Sequence, residues 1–193
     1  MNNLANILII IHATFGGVAL LCGTGALIAK KGNKFHKRLG NIFFYSMLIS
    51  GIIALVIAVL PTNWNPFLFA VGVFSTYLIV SGKRALNLKR KEIKITLDTY
   101  LAIVMLLTAI GMIILPLLLL GELNIVLTVF GVLGFFLSVG DLRMFRRGNY
   151  KKKWLAKHIG NMTGGYIAAF TAFVVVNQIL PGVYGWLTPT ALG

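Results

Sequence analysis

The sequence predicts an all-α integral membrane protein, a bundle of six transmembrane helices. Hydrophobic residues make up 58% of the 193 positions and charged residues only 11%, well below the roughly 25% of charged residues in soluble domains. All eighteen Lys and Arg residues fall into three stretches, at positions 30–38, 83–94 and 143–157. Because cytoplasmic loops collect Lys and Arg, the pattern predicts three basic cytoplasmic loops, both termini outside, and a location in the bacterial inner (cytoplasmic) membrane.

Six apolar segments are long enough to cross a hydrocarbon core of about 30 Å, which takes about 20 helical residues. We place the spans at 4–29, 39–60, 66–82, 97–120, 123–142 and 159–180. The outer connections between them are short, and Trp64, Tyr184 and Trp186 suit a membrane–water interface. The segments predict one domain, 1–193, made of three helical hairpins that each close on a basic loop.

Small residues indicate where the helices pack. In the last span they recur every four positions, at Gly160, Gly164, Ala168 and Ala172. Such rows allow close approach of helix backbones within a membrane, and the first span contains similar rows. We therefore expect the first and last helices to be central in the bundle and to contact each other.

The net charge of +14 would suggest a nucleic-acid partner for a soluble chain. Here the positive charge is better explained by membrane topology and by attraction to anionic lipid head groups. Each cation near such lipids contributes on the order of 1 kcal/mol to that attraction. The chain has no aromatic-studded basic surface, so we expect no nucleic acid to bind. Cys22 is the only cysteine, which excludes an internal disulfide. A homo-oligomer or a membrane-protein partner is left open.

Ionisable side chains at membrane depth are candidates for function, because each costs several kcal/mol in the bilayer. Near the cytoplasmic boundary the chain places two imidazoles and two carboxylates, those of His36, His158, Asp141 and Asp98. Two histidines with one or two aspartates suit zinc or non-haem iron. Two histidines from different helices can also hold a haem by its axial positions. The pattern predicts a metal or haem site in this layer.

A structural explanation exists for the same residues. A carboxylate such as Asp98 is stabilising near a helix start, and Asp141 can pair with Arg143, Arg146 or another loop cation. The two histidines can be interfacial residues whose polar tips lie among the head groups. Residues that share a depth need not share a helix face, so the sequence leaves both explanations open.

A second polar set lies nearer the outer side. At 1.5 Å per helical residue, His12 lies about 27 Å from the inner face, and Asn177 and Gln178 reach a similar level. Together with Thr14 they predict an outer ligand site if the first and last helices touch. The alternative is that His12 is a neutral histidine hydrogen-bonded between helices. A small transporter or channel with this vestibule is the alternative function, and an accessory or scaffold subunit is the third. No phosphate loop, cysteine pair or nucleophile elbow is present, and whether the protein is an enzyme stays open.

Four blocks carry a resemblance to a known family: HATFGG at 12–17, KGNKFHKRLG at 31–40, WLAKHIGNM at 154–162 and YIAAFTAF at 166–173. They resemble an uncharacterised family of bacterial polytopic inner-membrane proteins, catalogued as predicted membrane proteins of unknown function. The resemblance implies a polytopic inner-membrane protein and supplies no catalytic residue. All three histidines of the chain fall within these blocks.

Overall fold

The structure, a computed structural model, describes residues 3–90 and 92–193. Within those ranges it is all-helical, and the first six helices are long and apolar enough to cross a membrane. This confirms the predicted bundle of six spans. The helices are α1 (Asn3–Ile28), α2 (Lys34–Val59), α3 (Pro66–Ala85), α4 (Thr96–Leu120), α5 (Ile125–Arg146), α6 (Tyr150–Val176) and α7 (Gly182–Leu192).

Asparagine side chains cap the N-terminal ends of three of the spans. Asn33 accepts a hydrogen bond from the backbone N–H of His36 at 2.7 Å, and Asn65 and Asn124 cap α3 and α5 in the same way. Such caps satisfy N–H groups that the first turn leaves without partners. The cap at Asn33 corrects one predicted boundary: α2 begins at Lys34 rather than at position 39. His36 therefore lies in its first turn.

Helices α3, α5 and α6 extend further into the basic regions than predicted. Helix α3 ends at Ala85 rather than at 82, and α5 ends at Arg146 rather than at 142. Helix α6 begins at Tyr150 rather than at 159, and it ends at Val176 rather than at 180. Lys and Arg are good helix formers, so hydropathy marks the end of the apolar span and not the end of the helix. As a result Lys157 lies about two turns inside α6.

The tail after position 180 forms a helix that the sequence analysis did not predict. The indole of Trp186 on α7 packs against the rings of Phe67 and Phe130, with centroid separations of 5.0 and 6.5 Å. Tyr184 is exposed. Helix α7 thereby covers part of α3 and α5 at the end of the bundle opposite the basic loops.

Helix α3 is the centre of the bundle and contacts α2, α4, α5 and α6. Helices α1, α2, α3 and α6 share one apolar cluster, and α3, α4 and α5 share another. The predicted contact between the first and last spans is confirmed, because Thr24 Oγ1 and Tyr166 OH lie 2.7 Å apart. The prediction that α1 is central is wrong. The face of α1 that points away from α2 and α6 is exposed, whereas α3 buries Tyr77, Leu78 and Ile79 in succession.

The buried stripe of small residues on α6 lies one position beyond the predicted one. It consists of Asn161, Gly165 and Ala169, whereas Gly160 and Ala172 are exposed. On α3 the matching close contact is at Gly82. A Cβ there would lie 3.0 Å from Asn161 Cβ and 3.1 Å from the backbone nitrogen of Met162. Only glycine allows α3 and α6 to approach this closely.

Candidate functional site

The last turn of α3, residues 81–84, lies at the basic end of the bundle, where the loops after α1, α3 and α5 are. Each of its four residues makes a hydrogen bond to a different side chain. Ser81 Oγ accepts from Asn161 Nδ2 at 2.6 Å, and the carbonyl of Gly82 accepts from His158 Nδ1 at 2.9 Å. Both partners are on α6, so this turn fixes the half of α6 nearest the basic loops against α3.

The other two residues of the turn bind α2 and α4. The Lys83 ammonium donates to Asn41 Oδ1 on α2. The Arg84 guanidinium donates two hydrogen bonds to Asp98 on α4, at 2.9 and 2.7 Å. Paired bonds of this kind are among the strongest that side chains make. The turn therefore connects three neighbouring helices through polar groups.

One turn earlier, α3 contributes to a buried charged cluster. Tyr77 OH donates to Asp141 Oδ2 at 2.7 Å, and the ammonium of Lys157 forms an ion pair with the same oxygen. The Lys157 nitrogen also lies 5.7 Å from the centroid of the Tyr77 ring. All three residues are buried. They join α3, α5 and α6, and each charge has a partner, as buried charges require.

His36 and His158 are held by the same kind of bond. Nδ1 of His36 lies 2.9 Å from the carbonyl oxygen of Ala26, and Nδ1 of His158 lies 2.9 Å from that of Gly82. Both carbonyls are in the last turn of a helix, where no N–H further along the helix is available to them. Each imidazole thus caps the C-terminal end of an antiparallel neighbour, α1 or α3.

The two histidines occupy the basic end of the same four-helix group. His36 bonds to the C-terminal end of α1 and His158 to that of α3. Further along, the rings of Phe43 on α2 and Tyr166 on α6 are 6.3 Å apart. Both imidazoles are only partly buried. No Nε2 hydrogen bond of either ring is found in the described part of the chain, so each ring has a nitrogen available to a ligand.

Both predicted aspartates have cationic partners. Asp98 is bound by Arg84, and Asp141 by Lys157 and Tyr77. The predicted pairing of Asp141 with a cation of the third basic stretch is therefore found, and that cation is Lys157 rather than Arg143 or Arg146.

Among residues 3–90 and 92–193, no three side chains of His, Cys, Asp or Glu converge to hold a metal ion. The structure places His36 and His158 at the basic end of the bundle and gives both predicted aspartates cationic partners. The ligand role of all four residues stays a prediction.

In the outer polar set, His12 is bonded to α2. Its Nδ1 lies 3.0 Å from the carbonyl oxygen and 2.9 Å from Oγ of Ser50, which belongs to α2 rather than α6. Thr14 and Asn177 each donate to a carbonyl of their own helix, at 2.8 Å. Gln178 follows the end of α6 with a φ of 52°. The outer vestibule stays a prediction.

The sequence analysis missed Tyr77, Ser81, Lys83, Arg84 and Lys157. The basic residues among them were assigned to loops, because the spans were drawn where the apolar residues end. A helical spacing does mark part of the set: Tyr77 and Ser81 are four positions apart and so share one face of α3. Extending the predicted helices by one turn into the basic stretches would have placed Lys83, Arg84 and Lys157 inside helices, as observed.

The model of a family described as "Predicted membrane protein (DUF2306)" matches residues 9–95. The match spans most of α1, all of α2 and α3, and the resembling blocks at 12–17 and 31–40. It includes His12 and His36, while His158 lies outside it. No curated protein and no solved structure matches the chain significantly. This chain is a multi-pass membrane protein, similar over residues 9–95 to a family of predicted membrane proteins of unknown function.

Proposed function

We propose that this protein binds haem through His36 and His158 at the basic end of α2 and α6. The observation that carries the proposal is the pair of 2.9 Å bonds between Nδ1 and a backbone carbonyl. A carbonyl only accepts, so Nδ1 carries the hydrogen, and the neutral ring presents a lone pair on Nε2. Metal-binding histidines are oriented in this way by a bond from their other ring nitrogen.

The number of available ligands favours haem over a bare ion. A haem iron takes at most two axial ligands from the protein, whereas a structural zinc needs four. The carboxylates that would complete a bare metal site are bound by Arg84 and Lys157. With two histidines in place, the iron has no position open for a substrate. Electron transfer is the activity that such a site supports.

Haem content measured in histidine variants tests the proposal. The protein is produced with a haem precursor, purified in detergent and assayed by its reduced pyridine haemochrome. We expect about one haem per chain in the wild type. His36→Ala and His158→Ala each remove an axial ligand, and we expect each to lower the haem content about tenfold or more.

His12→Ala is the matched control. This third imidazole is also held through Nδ1, by Ser50, but lies in the middle of α1. We expect the variant to keep its haem. Wild-type haem content in both His36→Ala and His158→Ala, or no haem in the wild type, would contradict the proposal.

We also propose that the basic end faces the cytoplasm of a bacterial inner membrane, next to anionic lipid head groups. The support is the confinement of Lys and Arg to one end of the bundle. Single cysteines test this in a Cys22→Ser background, at Thr62 between α2 and α3 and at Lys152 on α6. An impermeant maleimide should label Thr62→Cys in spheroplasts and Lys152→Cys only after lysis. The reverse pattern would mean the opposite orientation.

A further inference from the structure

Lys83 is a partly buried cation that has no carboxylate partner within the described part of the chain. The ion pairs there are those of Arg84 with Asp98 and of Lys157 with Asp141. Lys83 instead bonds to the amide oxygen of Asn41, and its ammonium lies 5.4 Å from the centroid of the Phe44 ring. Unlike Arg84 and Lys157, Lys83 therefore has no carboxylate that compensates its charge in the described part of the chain.

An ammonium in this position is suited to an anion. Its three N–H groups have one side-chain acceptor, Asn41 Oδ1. A neutral amide and an aromatic face stabilise a cation less than a carboxylate does. A partly desolvated charge without a counter-ion is costly. The complement that this position favours is a carboxylate or phosphate oxygen.

Lys83 is linked to the helices of both histidines. It directly follows Gly82, whose carbonyl accepts from His158 on α6, and it donates to Asn41 on α2, the helix of His36. An anionic group on a ligand held between these two helices is therefore complementary to this ammonium.

We propose that Lys83 binds a propionate carboxylate of the haem held by His36 and His158. The inference rests on the proposed haem site and names a part of its ligand, the acidic edge of the porphyrin. Lysine binds such a group as a point charge, which leaves the Nε2–iron bonds to the two histidines.

The test compares haemin with haemin dimethyl ester, whose propionates carry no charge. Protein produced without haem precursor is titrated with each, and Kd is obtained from the Soret absorbance. We expect Lys83→Met to weaken haemin binding about tenfold, as loss of a hydrogen bond to a charged group does. Binding of the diester should not change, because Lys83 has no anion to bind there. Lys83→Arg should restore most of the haemin affinity.

Lys89→Met is the matched control. The Lys89 ammonium also lies over an aromatic ring, 4.9 Å from the centroid of Trp154, but in the loop after α3. We expect both Kd values to be those of the wild type. This comparison separates the position of Lys83 from the general effect of removing one positive charge.

The outcomes distinguish this inference from the haem proposal. If the wild type binds haemin and the diester equally well, the haem site stands and the role of Lys83 is wrong. The same holds if Lys83→Met weakens both ligands equally, which indicates a structural role. If an anionic lipid rather than a propionate occupies Lys83, added phosphatidylglycerol stabilises the wild type more than Lys83→Met, and esterification has no effect. If neither porphyrin binds, both proposals fail.

Discussion

Asp141→Asn should lower the free energy of unfolding by about 3 kcal/mol, because it leaves a buried ammonium without its carboxylate. Asp141 and Lys157 are 8% and 9% exposed, so water cannot replace the lost charge. The substitution also weakens the acceptor of the Tyr77 hydroxyl. Unfolding of the detergent-solubilised protein by increasing mole fractions of SDS, followed by circular dichroism, measures the effect.

Asp98→Asn is the control for this prediction. It removes the carboxylate of the other ion pair, but the side chain of Arg84 is 25% exposed and water can hydrate its guanidinium. We expect a loss of about 1 kcal/mol. The double variant Asp141→Leu with Lys157→Met removes both buried charges and should recover most of the lost stability. An effect of Asp141→Asn no larger than that of Asp98→Asn would contradict the buried ion pair.

Gly82→Leu should destabilise the protein by about 1–3 kcal/mol, the usual effect of overpacking a close contact. The new side chain would meet Asn161 and the backbone of Met162, which lie 3.0 and 3.1 Å from its Cβ. Pushing α6 away from α3 also separates His158 from the carbonyl that orients it. We therefore expect the haem content to fall as well, measured by the same haemochrome assay.

Gly17→Leu is the matched control, because a Cβ on that residue of α1 meets nothing within 4 Å. A substitution on an open surface usually changes stability by less than about 0.5 kcal/mol, and haem should be retained. A Gly82→Leu variant as stable and as rich in haem as Gly17→Leu would show that the α3–α6 contact does not hold the site.

Hydropathy was sufficient to predict the six spans, for a physical reason. Inside a bilayer the backbone has no water to bond to, so each long apolar segment must be a helix. The same reasoning placed His36 and His158 at one depth, since His36 lies within one basic stretch and His158 directly follows another. Whether the two rings approach each other depends on which helices are neighbours, and no pattern in the sequence specifies that.

The partners of the polar side chains could not be predicted from the sequence, because they depend on helix rotation and on where the helices end. Asp141 was expected to pair with Arg143, Arg146 or another loop cation, and the sequence does not specify which; it binds Lys157. Lys157 reaches Asp141 because α6 begins at Tyr150, so that a residue assigned to a loop is buried in the bundle. The apolar pattern of α6 does not predict this, since it begins only after the basic residues.

The central claim is that two histidines hold one haem, and the most direct measurement is the absorption spectrum of the purified wild type together with its elemental composition. The account predicts about one iron per chain, with a Soret band and sharp visible bands on reduction that carbon monoxide does not change, since both axial positions are filled. A protein that carries zinc or no metal, or a haem that binds carbon monoxide at once, would contradict it.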